Sequence, residues 1–285
     1  MSLVLWLFSI ALSANLATNK FSEVAAGIDG FLATQKGKPT SVVIAFDYDD
    51  TLLSPSTVLG SEGWFNWQEE MVLKDEKNPE RMATSFEDLL TLQNRFLGLV
   101  RMRPTEPMIP DYVRSLQQKG YQVIVCTSRG PAEMTSTVRE LRVNGIDLSD
   151  SVFAKMNEKY EPYFPYNMDH LGGAGLNQDD VKKLGLKKPN TISFASGILF
   201  TEGQHKGAML RTLFFKSRIP VSAAVFIDNR KKHTQKVAAA FEGRSTKMFT
   251  VHYFYKDIDT KPLTAFPDII SRSKAEWAMI KRFIE

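Results

Sequence analysis

An α/β fold with a mostly parallel sheet is what this 285-residue sequence predicts, and three observations carry the prediction. Runs at 42–46, 121–126 and 221–227 are apolar at nearly every position, the pattern of strands buried on both faces. Helical patterns separate them, at 111–118, 131–144 and after Lys206, and strand–helix alternation builds parallel sheets. Each run then stops at polar residues: Asp47-Tyr48-Asp49-Asp50-Thr51, Thr127-Ser128-Arg129-Gly130 and Asp228-Asn229. Open α/β sheets carry their chemistry at such strand ends.

The elements follow in order. Leu3 to Ala14 is an apolar run containing Trp6 and Phe8, too short to span a bilayer as a helix. Small residues at Ala11-Leu12-Ser13 suit a secretory cleavage site, although only Met1 and Ser2 stand where a basic leader belongs. Residues 1–18 therefore read as a signal or apolar N-terminal segment. Cleaved, it implies export to the periplasm or beyond; retained, it implies a cytoplasmic or membrane-associated protein. Between Asn19 and Leu32, the spacing of Phe21, Val24, Ala25, Ile28 and Phe31 predicts an amphipathic helix. Residues 56–104 hold Trp64, Phe65, Trp67 and the helical set Phe86, Leu89, Leu90, Leu92, and read as a small helical cap inserted after the first strand. The core is then 19–55 and 105–285. Pro110 and Gly120 bracket the helix at 111–118, and Gly145 closes the next one. The cluster Gly172-Gly173-Ala174-Gly175 has no Gly-Lys-Ser or Gly-Lys-Thr after it and reads as a turn, not a phosphate loop. Thr191 to Thr201 gives two short strands around Ala195-Ser196-Gly197, and a helix to about Phe241, a strand at Met248–Tyr255 and a terminal helix complete the chain.

Composition narrows the function. A chain with 43% hydrophobic and 24% charged residues can bury a globular core. The net charge of +4 is scattered, without the basic stripe or reading module that nucleic-acid binding needs; it suits an anionic substrate. The single cysteine, Cys126, excludes an intrachain disulfide, and the Cys-x5-Arg loop of cysteine phosphatases fails at Ala132. His170, His205, His233 and His252 lack metal-site spacing.

Asp47 and Asp49, two positions apart at the end of an apolar strand, suit phosphoryl chemistry: one carboxylate attacks phosphorus and its neighbour handles the leaving-group proton. The order along the chain sharpens this. Asp-x-Asp-x-Thr is followed by a strand ending in Thr127, then Lys206 before Gly207, then a strand ending in Asp228. In these four parts the sequence resembles the haloacid dehalogenase (HAD) superfamily of phosphotransferases. Finer features resemble the bacterial family DUF2608: Leu59-Gly60-Ser61 with Trp64 and Trp67, Thr127-Ser128-Arg129, Thr137 and Leu141 before Gly145-Ile146-Asp147, and Gly197 to Thr201 before Lys206-Gly207. The likeness covers about residues 38–245.

The resemblance implies a HAD-like Rossmannoid core and a Mg²⁺-dependent phosphatase working through an aspartyl-phosphate. Asp47 is then the nucleophile and Asp49 the general acid and base. Thr127, or Ser128 one residue on, and Lys206 hold the phosphoryl oxygens. Mg²⁺ is held by the Asp47 carboxylate, the Asp49 backbone carbonyl and Asp228. Asn229 stands where many members have a second acid. Arg129 either reaches the substrate or bridges core to cap. Trp64 and Trp67 either line the cap wall or fill its core. Asp50 reads as a turn residue. The substrate is a small phosphomonoester or a phosphorylated protein side chain such as phosphotyrosine. The competing readings are a HAD-fold binding protein with weak turnover and a membrane-associated interaction protein anchored through residues 3–14.

Overall fold

The computed structural model describes residues 15–75, 77–150, 152–157, 159–255 and 267–284; the apolar run Leu3–Ala14 lies outside them. Strand β1 (Asn15–Thr18) and helix α1 (Phe21–Ala33) precede β2 (Val42–Phe46). The insertion comprises β3 (Leu53–Pro55), α2 (Glu62–Lys74), α3 (Phe86–Leu99) and β4 (Met102–Pro104). Then come α4 (Ile109–Gln118), β5 (Gln122–Thr127), α5 (Met134–Val143), α6 (Val152–Asn157), β6 (Lys159–Tyr163) and α7 (Gln178–Leu184). The chain continues with β7 (Ile192–Ala195), β8 (Ile198–Phe200), α8 (Lys206–Ser217), β9 (Ala223–Asp228), α9 (Lys231–Phe241), β10 (Lys247–Tyr253) and α10 (Pro267–Ile284).

Eight strands form one sheet in the order β1-β10-β9-β2-β5-β8-β7-β6. From β1 to β8 the neighbours are parallel; β7 and β6 add an antiparallel edge. Side chains alternate across the central strands as the pleat requires. Val42, Ile44 and Phe46 face a layer containing Phe21, Ile28, Ile109, Val113 and Leu116 of α1 and α4. Val43 and Ala45 face Leu210, Leu213, Val237 and Phe241 of α8 and α9. Helices thus cover both faces, which explains why the strands read as unbroken apolar runs. Cys126 is buried in the second layer, and burial pushes its thiol well above the ordinary range, so it behaves as a small hydrophobe.

Two features differ from the sequence reading. Asn15–Thr18, expected within the apolar N-terminal segment, form the sheet's edge strand beside β10. The terminal helix α10, expected within the core, makes its named contacts with the insertion: Trp277 packs edge-on against Phe96 with ring centres 5.5 Å apart, Glu276 accepts from the Leu59 N–H at 3.3 Å, and Lys274 pairs with Glu80. The β7–β8 hairpin turns at Ser196 and Gly197, both with positive φ (51° and 75°), the conformation of a two-residue type I′ loop. A side chain at 197 would strike the Leu148 backbone.

The insertion leaves and re-enters the core through the antiparallel β3–β4 pair. Ser61 caps α2 by accepting from the Trp64 N–H at 3.1 Å, and Ser85 caps α3 through Asp88 N–H at 3.0 Å. Trp64, Trp67, Gln68 and Met71 lie on one buried face of α2 at i, i+3, i+4 and i+7. Trp64 is wholly buried and meets Phe96 edge-on at 5.1 Å. Truncating it, as Trp64→Ala, should cost about 3–5 kcal/mol in a urea unfolding titration.

Candidate active site

Because β2, β5, β8 and β9 run parallel, their carboxyl ends share one edge, and the functional side chains collect there. Asp47 follows β2 and donates its N–H to Ile227 O at 2.8 Å. Asp228 ends β9, and Lys206 opens α8. The Lys206 ammonium joins them, 2.6 Å from Asp47 Oδ1 and 2.7 Å from Asp228 Oδ2. All three side chains are buried. Burial first, and the Asp228 charge second, push Asp47 up to about 8 against the pull of Lys206. Burial also opposes ionisation of Asp228, but Lys206 and His233 outweigh it and hold that carboxyl below the usual range. Lys206 pays a similar desolvation penalty, yet Asp228 and Asp47 keep it above the ordinary lysine value.

Around Asp228, His233 Nδ1 lies 3.1 Å from Oδ2, and the Arg230 N–H donates to Oδ1 at 2.8 Å. The Asn229 N–H donates to Thr51 Oγ1 at 3.0 Å, tying the loop after β9 to the one after β2. Asp50 holds the left-handed conformation, φ 55°, and accepts from Ser54 Oγ at 2.7 Å, which is the turn role its sequence position implies. His205 caps α8, its Nδ1 accepting from the Ala208 N–H at 3.2 Å; burial foremost, with Lys236, pulls its pKa down to about 4, so the ring is a neutral acceptor.

Asp49 turns the other way. Arg129 binds its carboxylate with two parallel bonds, Nε to Oδ2 at 3.0 Å and a terminal nitrogen to Oδ1 at 2.8 Å. The guanidinium lies 4.3 Å over the Tyr48 ring and donates to Thr137 Oγ1 at 3.0 Å. Burial works against its charge, and Asp49 more than offsets it. The carrying loop is stitched to the loop after β8: Gly203 N–H donates to Ser128 O at 2.9 Å and Glu202 N–H to Arg129 O at 3.1 Å. Thr127 is wholly buried, its hydroxyl accepting from the Arg129 N–H at 3.1 Å, whereas Ser128 is exposed.

A cavity of about 540 Å³ opens over this edge. Asp47, Asp49, Ser128, Arg129, Asn229 and His233 form its floor and near wall. The insertion contributes Phe65, Leu90, Gln93, Asn94 and Leu97 to its lining, and Glu133 and Glu202 also line it. The model of the family described as "Protein of unknown function (DUF2608)" matches residues 17–285.

The chain belongs to the DUF2608 family. It is also 24% identical over 230 residues to a Chlamydia pneumoniae protein named "Putative outer membrane protein", a match covering 79% of this chain and 73% of that one. Among the described residues, no helix is long and apolar enough to cross a membrane.

The DUF2608 chain brings Asp47, Asp49, Ser128, Arg129 and Asp228, from the loops and ends of its strands, and Lys206, from the start of α8, to one edge. Trp64 and Trp67 do not line the cavity; they fill the insertion's interior, and Phe65, half-buried beside them on α2, is the insertion's aromatic residue in the cavity lining. Thr127 sits behind the wall that Ser128 presents. Arg129 grips Asp49, and among the described residues its bonds go to Asp49, Thr127 and Thr137 and not to the insertion. Sequence reasoning missed Phe65, Gln93, Asn94, Glu133, Glu202 and His233; for His233 the one signal was its place a turn into the helix that starts behind Asp228.

Removing the buried ammonium should be costly, because Lys206→Met leaves Asp47 and Asp228 desolvated beside each other. A loss of about 3–5 kcal/mol is expected at neutral pH in chemical denaturation. Adding Asp47→Asn to that variant should recover part of the loss.

Proposed function

We propose that this DUF2608 protein is a Mg²⁺-dependent phosphomonoester phosphatase of the HAD type, working through an aspartyl-phosphate on Asp47. The observation that carries the reading is the buried Asp47–Lys206–Asp228 cluster beneath a cavity that also holds Asp49. A structural ion pair has no need of a second carboxylate two residues away in an open pocket.

The donor set suits a hard divalent cation. The Asp47 and Asp228 carboxylates and the Asp49 backbone carbonyl are oxygen ligands of the kind Mg²⁺ prefers. Burial and the Asp228 charge push Asp47 up to about 8, and a divalent cation placed there would favour its ionised form. Among the described residues, no group of three or more His, Cys, Asp or Glu is placed to hold a metal ion; the third protein ligand is a backbone carbonyl, and Mg²⁺ commonly keeps several waters. Bound there, Mg²⁺ supplies electrostatic screening between the carboxylates and the phosphoryl oxygens.

The residues then divide the work. An Asp47 oxygen attacks phosphorus in line, the bond to the leaving oxygen breaks, and Asp49 gives that oxygen its proton. In the second half, Asp49 takes a proton from water as the water oxygen attacks phosphorus. The Asp47–phosphorus bond breaks, releasing inorganic phosphate and restoring the carboxylate. Ser128 and Lys206 hold the phosphoryl oxygens, and the Lys206 ammonium balances charge that grows on them. Thr127 supports the turn that presents Ser128. Phe65, Leu90 and Leu97 offer an apolar wall to the leaving group, which suits a small phosphomonoester or a phosphorylated side chain such as phosphotyrosine. The outer-membrane name of the chlamydial relative supports an exported protein.

Phosphate release from a panel of phosphomonoesters with Mg²⁺ tests the reading. Asp47→Asn should keep the fold and lower turnover on the order of 10³-fold or more, since an amide cannot form the acyl-phosphate. Near wild-type turnover in that folded variant would overturn the mechanism. Excess chelator should abolish phosphate release and added Mg²⁺ restore it; activity that survives the chelator would remove Mg²⁺ from the scheme.

A further inference from the structure

The pair between Arg129 and Asp49 is built more carefully than a surface ion pair. Asp49 is 38% exposed at its side chain and faces the cavity, while Arg129 is only 2% exposed. Both parallel hydrogen bonds are formed, at 2.8 and 3.0 Å, so the carboxylate plane is fixed as well as its distance. Arg129 is itself held: Tyr48 lies beneath the guanidinium at 4.3 Å, Thr137 of α5 takes a third bond at 3.0 Å, and its backbone N–H is bonded to Thr127. Thr137 in turn donates to Glu133 O at 2.8 Å, anchoring the assembly to α5. Tyr48 stands between Asp47 and Asp49 in the chain, so the ring that supports Arg129 is covalently tied to both carboxylates.

We infer that Arg129 is a positioning residue for Asp49, holding its carboxylate at the mouth of the cavity for proton transfer to and from the leaving oxygen, with Tyr48 and Thr137 holding Arg129. The inference rests on the phosphatase reading. It assigns Arg129 to the proton-transfer step and not to the phosphoryl group, which Ser128 and Lys206 take. In the first half-reaction Asp49 enters protonated on one oxygen, with the proton taken from water in the preceding turnover and the other oxygen still held by Arg129, and that proton moves to the leaving oxygen as the phosphorus–oxygen bond breaks. In the second, Asp49 receives a proton from the attacking water. Arg129 exchanges no proton in either. Lysine cannot replace it, because an ammonium offers no planar fork.

Leaving-group dependence separates this role from a structural one. 2,4-Dinitrophenyl phosphate releases a stable phenolate that needs no proton, whereas an alkyl phosphate such as glycerol 2-phosphate needs one. kcat and KM for both esters should be measured with Mg²⁺ for wild type, Arg129→Met, Arg129→Lys and Thr137→Val, alongside melting curves and inhibition by inorganic phosphate. In Arg129→Met, kcat/KM, which reports the first half-reaction alone, should fall about 100-fold or more for the alkyl ester, the scale of general acid catalysis, and by less than about tenfold for the dinitrophenyl ester; kcat for the latter can fall further because both esters share the hydrolysis of the aspartyl-phosphate. Arg129→Lys should retain the same bias, and Thr137→Val should show it more weakly. Adding Asp49→Asn to Arg129→Met should cost the alkyl reaction little more, because both changes disable one step. The inhibition constant of inorganic phosphate should move less than about threefold, a change below ~0.7 kcal/mol. Equal losses of kcat/KM on the two esters would overturn the inference, and so would a weakening of phosphate inhibition by about tenfold or more, which would put Arg129 on the phosphoryl group. If Arg129→Met does not fold, an unbiased Thr137→Val decides against it alone. A wild type inactive on both esters would refute the phosphatase reading and the inference with it, whereas an active wild type with unbiased variants refutes the inference only.

Discussion

A buried ammonium between two carboxylates is the constraint on which the rest of this edge depends. Asp47 and Asp228 end adjacent parallel strands, so the sheet itself forces them together. Two desolvated carboxylates at that distance repel, and Lys206 is what allows both to stay. The lysine can reach them only because α8 starts directly behind the strand ends, with His205 as its cap and almost every residue of its first two turns buried. Helix position, strand register and charge balance are therefore one requirement, not three.

The other side of the edge solves the same problem differently. Asp49 is paired within its own layer by Arg129, and the loops after β2, β5, β8 and β9 are cross-bonded through Thr51, Ser128, Arg129 and Asn229. Such stitching holds irregular backbone in a fixed shape, which is what the proposed phosphatase reading requires, because a small displacement of reacting groups is costly. The insertion then acts as a roof. Its α3 shows Phe96 to Trp64 and Trp277, and Leu90, Gln93, Asn94 and Leu97 to the cavity. The terminal helix α10 thus braces, through Phe96, the helix that forms the cavity wall.

Much of the framework was legible in the chain because it depends on local pattern. Apolar runs of strand length, the polar residues that stop them and the glycines after helices mark β2, β5, β9, α4 and α5 without any knowledge of neighbours. The same logic finds Asp47, Asp49, Lys206 and Asp228, since each stands at the end of a strand or the start of a helix. Asn15–Thr18 escaped because an edge strand of four residues next to an apolar run has no period of its own. The roles open to Trp64 and Trp67 were not separable in sequence, as adjacent positions on a helix lie about 100° apart and only packing decides which face turns inward.

By itself the sequence determined a parallel α/β sheet, an insertion after its first strand and the set of polar residues that strand ends would present, because these follow from hydrophobic period and chain punctuation. Tertiary structure alone decided the pairings. Arg129 meets Asp49 across 80 residues and Lys206 meets Asp47 across 159. It also chose Phe65 over the tryptophans for the cavity wall and sent α10 to the insertion. Such contacts depend on which surfaces are left to bury once the sheet has formed, and no local spacing encodes that.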